Sequence, residues 1–175
     1  MRRSLVAVVV AGLAVVTLTG ASAGASAGSP VGSGRDRTLS FDVQFSGFFL
    51  LDFGPTGVRE VPSVADPDLS PSRGDQIVFE DTLLRGGTVV GSGSGTCTVT
   101  AVVAADPPIA LACQVTYQLP DGQVAAQGRA SNAPVKNLAV VGGTGRYSGA
   151  SGELTVTENG DEANTGSLVI RLDRH

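Results

Sequence analysis

Histidine is almost missing from this chain of 175 residues: the one copy is His175. A His-centred triad, a His general base and a His-rich metal set are thereby excluded from residues 1–174. Two cysteines, Cys97 and Cys113, are too few for a zinc cluster, and Asp66-Pro67-Asp68 lacks the ligand spacing of a calcium loop. No metal is expected. Lysine occurs once, as Lys136, in a chain of net charge −4. An acidic chain with scattered arginines has no basic stripe to follow a phosphate backbone, so no nucleic-acid partner is expected. Helical periodicity is nearly absent as well, which argues against a helical bundle. Any catalysis has to run on carboxylates, amides, tyrosine or arginine, or on shaping a substrate that reacts by itself.

The N-terminus carries the marks of an export leader. Arg2 and Arg3 precede an apolar run of 14 residues, Leu5–Leu18. That run is too short and too rich in Gly and Ala for a membrane span. Ala21-Ser22-Ala23 and Ala25-Ser26-Ala27 both satisfy the small-residue cleavage rule. The expectation is a signal peptide over residues 1–27, cut after Ala27 or Ala23, and a secreted protein with no stable membrane anchor after cleavage. A disordered lead-in over 28–37 and one domain over 38–175 complete the plan. In an exported chain two cysteines default to a disulfide, Cys97–Cys113, with two free buried thiols as the alternative.

Strand signals are many and evenly spaced. Thr38–Ser46 alternates, with Leu39, Phe41, Val43 and Phe45 on one face, and Phe48–Leu51 continues it as an apolar run. Residues 55–74 read as a long loop. Gln76–Leu84 alternates again, followed by Thr88–Val103, whose Gly91, Gly93 and Gly95 mark a bend or bulge. Ala110–Leu119 and Gln123–Ser131 flank the turn Pro120-Asp121-Gly122. Segments 135–141, 152–158 and 166–173 complete a set of about eight. The fold class is therefore all-β, an eight-stranded antiparallel barrel whose closure removes the edges, with a two-sheet sandwich as the alternative.

Asp81 shares a strand face with Ile77, Phe79 and Leu83. Facing inward, it must find a partner, shift its pKa or line a wet cavity. Facing outward, it is a surface carboxylate. Tyr117 shares a face with Leu111, Cys113, Val115 and Leu119, and a buried Tyr needs a partner for its hydroxyl. Asp42 and Gln44 share the other face of the first strand, opposite Phe41 and Val43, which by alternation puts them toward solvent.

Leu138–Val156 holds five glycines between two apolar runs, yet no helix follows them. Without a helix N-terminus there is no pyrophosphate site, so the stretch is a strand-to-strand turn. Gly142-Gly143-Thr144-Gly145, with Tyr147, Gly149, Ala150 and Gly152, resembles the GGTG-x-[FY]-x-x-A-x-G signature of plant allene oxide cyclases and dirigent proteins. Gly74–Leu83 is similar to the cyclase pattern G-D-x-x-x-F-x-N-x-L, Gly95-Thr96-Cys97 to G-x-C, Thr116-Tyr117 to T-Y, and Gly122–Gly128 to G-H-x-x-x-Q-G. The resemblance covers a little under half of the chain.

It implies an eight-stranded barrel around an apolar cavity, often a homotrimer. The cyclases guide an unstable allene oxide to a cyclopentenone, and dirigent proteins steer the coupling of radicals made elsewhere. Neither group uses a cofactor, so none is expected here, and the implied partner is an apolar small molecule. Asp81 matches a cavity Asn that helps hold the substrate oxygen; a carboxylate in that place repels a developing oxyanion unless it is protonated. Phe41-Asp42-Val43-Gln44 resembles Y-E-I-N, whose Glu and Asn face the cavity, which is the opposite of the alternation reading. The resemblance thus implies Asp81, Asp42 and Gln44 as catalytic residues and Phe79, Cys97 and Tyr117 as substrate contacts. A cofactor-free isomerase or cyclase and a non-catalytic steering or binding protein are both compatible with these residues. Each requires an interior cavity of roughly a few hundred Å3.

Overall fold

The computed structural model describes residues 37–53, 57–60, 71–104 and 108–173. The export leader, the lead-in as far as residue 36, the Asp66–Asp68 segment, Asp106-Pro107 and His175 lie outside the described residues. The strands are β1 (Arg37–Leu51), β2 (Val58–Glu60), β3 (Gln76–Arg85), β4 (Thr88–Val102), β5 (Ile109–Leu119), β6 (Gly122–Ser131), β7 (Val135–Gly143), β8 (Gly152–Glu158) and β9 (Thr165–Leu172). All pair antiparallel in the order β2-β1-β3-β4-β5-β6-β7-β8-β9, and β1 also pairs with β9. Eight strands therefore close into a barrel, as the strand spacing predicts, and β2 is an appendage on the C-terminal part of β1 (Leu51 opposite Val58). The sequence places β2 inside a loop, because three residues are too few to show alternation.

Alternation carries the core. Along β5 each of Ile109, Leu111, Cys113, Val115, Tyr117 and Leu119 is buried, and the residues between them are exposed or half-buried. In β1 the alternation is reset. Phe45 pairs with Asp81 and Gly47 with Glu80, so Ser46 is an extra residue, a β-bulge. The bulge lets Phe45 and Phe48, three apart, both face the interior.

The glycine signature shuts one end of the barrel. After β7 the chain makes a single 3-10 turn, Gly145–Tyr147, and buries the Tyr147 ring, with Arg37 stacked 5.3 Å from its centroid. Backbone bonds Thr144 N–H to Gln123 O (2.9 Å) and Arg146 N–H to Asp121 O (2.8 Å) press the turn onto the β5–β6 hairpin. Gly145 has φ +58°, and a Cβ there would sit 2.4 Å from Asp121 O, so the position needs glycine on both counts. At the same end Arg85 caps Phe41, 4.8 Å from the ring centroid.

Cys97 and Cys113 are direct partners across β4 and β5, with Cα atoms 4.0 Å apart, and they form a disulfide. Of the two alternatives open in the sequence, the bridge is the one the structure adopts.

Candidate functional site

A cavity fills the barrel between the closed end and the opposite rim. Its floor is Asp81 on β3 and Tyr117 on β5; its wall is apolar and aromatic; its mouth carries Asn132, Lys136 and Glu158. The enclosed space measures about 100 Å3, or about 900 Å3 when the open mouth and the gaps between side chains are included. The enclosed part alone falls short of the few hundred Å3 that either ligand-handling function requires; only the space that includes the open mouth reaches it, so an occupant has to extend into the mouth. The enclosed part suits a single ring or one end of a longer molecule rather than the whole of a drug-sized ligand.

The floor depends on a glycine in the neighbouring strand. Gly93 on β4 lies opposite both Asp81 and Tyr117. A Cβ at Gly93 would come 2.4 Å from the Tyr117 ring and 3.2 Å from Asp81 Oδ2. Its bare backbone is what allows the phenol to lie beside the carboxyl. The sequence reads this glycine run as a bend; the bulge is real but sits beside Gly91, where Leu83 pairs with Gly91 and Leu84 with Val89. Gly93 instead provides room.

Asp81 is 2% exposed. Tyr117 Oη donates to its Oδ2 at 3.3 Å, and Oδ1 has no hydrogen-bond partner among the described residues. Burial disfavours the charged carboxylate; the Tyr117 bond opposes this and the Glu158 charge reinforces it, leaving the pKa raised to about 7. Tyr117 is pushed well above its usual 10, first by burial and then by the neighbouring Asp81 charge, so it stays a neutral donor. At the mouth Lys136 Nζ lies 2.6 Å from Glu158 Oε1 and donates to Ala133 O at 2.9 Å.

The structure brings Asp81, Phe79, Cys97 and Tyr117 together on this one surface, with Cys97 present as half of a disulfide that forms part of the wall. It does not bring Asp42 or Gln44 there. Asp42 is exposed on the outer face of β1, and Gln44 Nε2 donates to the backbone oxygens of Ala163 and Asn164. Phe41 and Val43 are the buried pair, as alternation predicts, so the motif carry-over that turned Asp42 and Gln44 inward does not match the geometry. Sequence reasoning missed Lys136 and Glu158. A signal was present: Lys136 shares its face with Leu138 and Val140, and Glu158 with Leu154 and Val156.

A second buried carboxyl, Asp75, stands at the start of β3. Its Oδ1 accepts from Phe53 N–H (3.1 Å), and its Oδ2 accepts from Ser72 N–H (2.6 Å) and Ser72 Oγ (3.0 Å). Burial pulls its pKa upward, but these three bonds together outweigh it and hold the carboxyl below the usual range. Among the described residues no group of three or more His, Cys, Asp or Glu side chains could hold a metal ion.

The chain is thus a small antiparallel barrel, closed on itself, with an interior cavity floored by Asp81 and Tyr117. The family described as "Allene oxide cyclase barrel like domain" matches residues 61–170, and the chain belongs to it. Among solved structures it is similar to a protein titled "Pyocyanin demethylase", at 27% identity over 78% of this chain and 100% of that one, with a TM-score of 0.64. It is similar in fold to the Diels-Alderase AbmU from Streptomyces koyangensis, at 16% identity over 81% and 71% of the two chains, TM-score 0.58. A pterocarpan synthase dirigent protein also matches, at 19% identity over 79% and 93% of the two chains, TM-score 0.49. No curated protein matches the chain.

Proposed function

We propose that this protein binds an apolar small molecule end-on in its barrel and guides a cofactor-free isomerisation or cyclisation, with Asp81 as the proton-handling group. The carrying observation is one carboxyl on the lining of an apolar cavity, 2% exposed, with one oxygen buried and unpartnered. A native fold keeps such a group unpaired only at an energetic penalty, which is the mark of a site rather than of packing. A pKa of about 7 suits a group that must both take and return a proton near neutrality. In its protonated form Asp81 also answers the oxyanion problem, because the neutral acid donates a hydrogen bond where the carboxylate would repel. The likeness to a protein titled "Pyocyanin demethylase" is compatible with a small-molecule occupant.

Export belongs to the same proposal. The Cys97–Cys113 bridge supports an oxidising compartment, in keeping with the leader pattern over residues 1–27.

Native mass spectrometry of the protein purified from its own host's culture medium tests both parts. A bound small molecule that survives desalting is expected, and its structure supplies a turnover assay. In that assay Asp81→Asn should lower kcat by roughly 10²–10⁴-fold, the range for loss of a general acid–base. An unchanged kcat would remove Asp81 from the chemistry and leave the non-catalytic steering protein as the reading.

A further inference from the structure

The cavity's charges do not balance. Its lining holds three charged or titratable polar groups besides Tyr117: Asp81 at the floor, and Glu158 and Lys136 at the mouth. Lys136 is the chain's one lysine, and its ammonium is already committed to Glu158 (2.6 Å) and to the Ala133 carbonyl (2.9 Å). Nothing cationic among the lining residues is left for Asp81, whose Oδ1 is unpartnered. The remaining wall is unusual for this chain. Phe45, Phe48, Phe79 and Tyr117 line it, out of six Phe and two Tyr in the whole sequence. Aromatic faces carry negative potential, and a buried carboxylate beside them adds to it.

Resting on the reading that the cavity binds a small molecule, we propose that its occupant is a planar organic cation. A positively charged aromatic ring would lie among the four side-chain rings with its charge toward the Asp81 carboxyl. The ring's apolar body replaces water along the wall, and its charge supplies the counterion that the carboxyl lacks. A delocalised cation is weakly hydrated, so entry forfeits less than it would for an ammonium. An anionic ligand would face both Asp81 and Glu158 and is disfavoured. A neutral ring satisfies the wall but leaves the Asp81 carboxyl without a counterion. The enclosed volume of about 100 Å3 limits the buried portion to one ring.

Three single-ring probes of nearly equal size separate these cases: N-methylpyridinium, toluene and benzoate, each titrated into the folded protein by NMR at about pH 8, where Asp81 is mostly ionised. N-methylpyridinium should bind about 10-fold more tightly than toluene, and benzoate least, on the scale of a desolvated cation–π contact with a nearby carboxylate. Asp81→Asn should erase the preference for the cation, whereas Asp42→Asn, on the outer face of β1, should retain it. Lowering the pH to about 5 should shrink the preference in the wild type, as Asp81 takes up a proton. Toluene binding as tightly as the cation, or a preference that survives in Asp81→Asn, would overturn this inference and leave the small-molecule reading standing. Failure of all three probes to bind would overturn both.

Discussion

Asp75 and Asp81 stand six residues apart, are 1% and 2% exposed, and belong to the same strand region, yet they are opposite kinds of buried carboxyl. Asp75 is saturated: both oxygens accept, and its own backbone donates to Ser72 O (3.2 Å) and accepts from Val99 N–H (2.8 Å). It ties the segments around Phe53 and Ser72 to the barrel, and its charge is held in place by that service. Asp81 lines the cavity, has one bond, from Tyr117, and keeps its other oxygen buried without a partner. Asp81 lies far deeper in the protein than Asp75, but solvent exposure is nearly identical, so exposure alone does not separate structure from function here. Hydrogen-bond satisfaction does, and the two pKa shifts follow it in opposite directions.

The largest way to test the contrast is to remove the saturated member. Asp75→Ala strands two backbone N–H groups and a hydroxyl that had an ionised acceptor. Unfolding free energy should fall by roughly 4 kcal/mol at pH 7, with charge-assisted bonds contributing about 1.5–3 kcal/mol each and partial resolvation offsetting some of the loss. Because the folded-state pKa is depressed, this contribution is present above the unfolded value near 3.8 and disappears as pH falls through the folded value. Urea denaturation at neutral and acid pH checks it. A loss below about 1 kcal/mol at pH 7 would mean that water replaces the Asp75 carboxylate as the partner of Phe53 and Ser72.

Asp81 should behave with the opposite sign. Its folded pKa of about 7 lies above the ordinary aspartate value of 3.8, so the folded state binds a proton that the unfolded state has released. Wild-type stability from this group is therefore intact below about pH 4 and declines as pH rises to about 7, by an amount on the order of 4 kcal/mol. Asp81→Asn removes the charge but keeps a polar amide to desolvate, so it should stabilise the protein by about 3 kcal/mol at pH 9 and make little difference at pH 4. The measurement is the pH dependence of the urea midpoint in both proteins. Equal midpoints at pH 9 would place Asp81 in water and remove the basis for the contrast.

How far the sequence anticipates this follows from the reach of alternation. Period two placed Phe41, Val43 and Tyr117 on inward faces, left Asp81 open between cavity and surface, and favoured a closed barrel over a sandwich once eight such segments are counted. It also flagged Asp81 as a polar residue in an apolar row. The same rule covers Lys136 and Glu158, but they stand near strand ends, where a row is short and a polar residue reads as the start of a loop. Asp75 could not be read as buried, because its partners come from Phe53 and Ser72 through loop geometry with no period. Register changes are equally silent: nothing in the spelling of Phe45-Ser46-Gly47 says that Ser46 is extra, so the convergence of Phe45 and Phe48 appears only in three dimensions.

Gly93 tests whether the Asp81–Tyr117 contact is the feature that matters on the cavity side. Gly93→Ala pushes a methyl into the Tyr117 ring, from which its ideal Cβ lies 2.4 Å. Overpacking of this kind should destabilise by about 2 kcal/mol. If the ring moves away, Asp81 loses the bond that lowers its pKa, and its titration should shift upward from about 7. An NMR titration of the labelled Asp81 carboxyl reads the shift directly. A destabilised variant with an unmoved titration would show that Tyr117 holds the ring position but not the carboxyl's charge state.

The smallest expected effect concerns the carboxylate that the family motif and the strand pattern assign to opposite faces. Asp42 is exposed on the outer face of β1, opposite the buried Phe41 and Val43. A side chain there reaches the cavity only by a one-residue slip of β1. Such a slip would turn Phe41 and Val43 outward and break the register with β9, in which Phe41 pairs with Leu168 and Val43 with Gly166. Asp42→Asn should therefore change stability by less than about 0.5 kcal/mol, as expected for a solvent-facing position, and leave probe binding and the pH profile of Asp81 untouched. A loss of binding in this variant would mean that β1 adopts the slipped register in solution. In that event Asp42 and Gln44 would join Asp81 inside, and the lone-carboxyl account of the cavity would fall with the register that supports it.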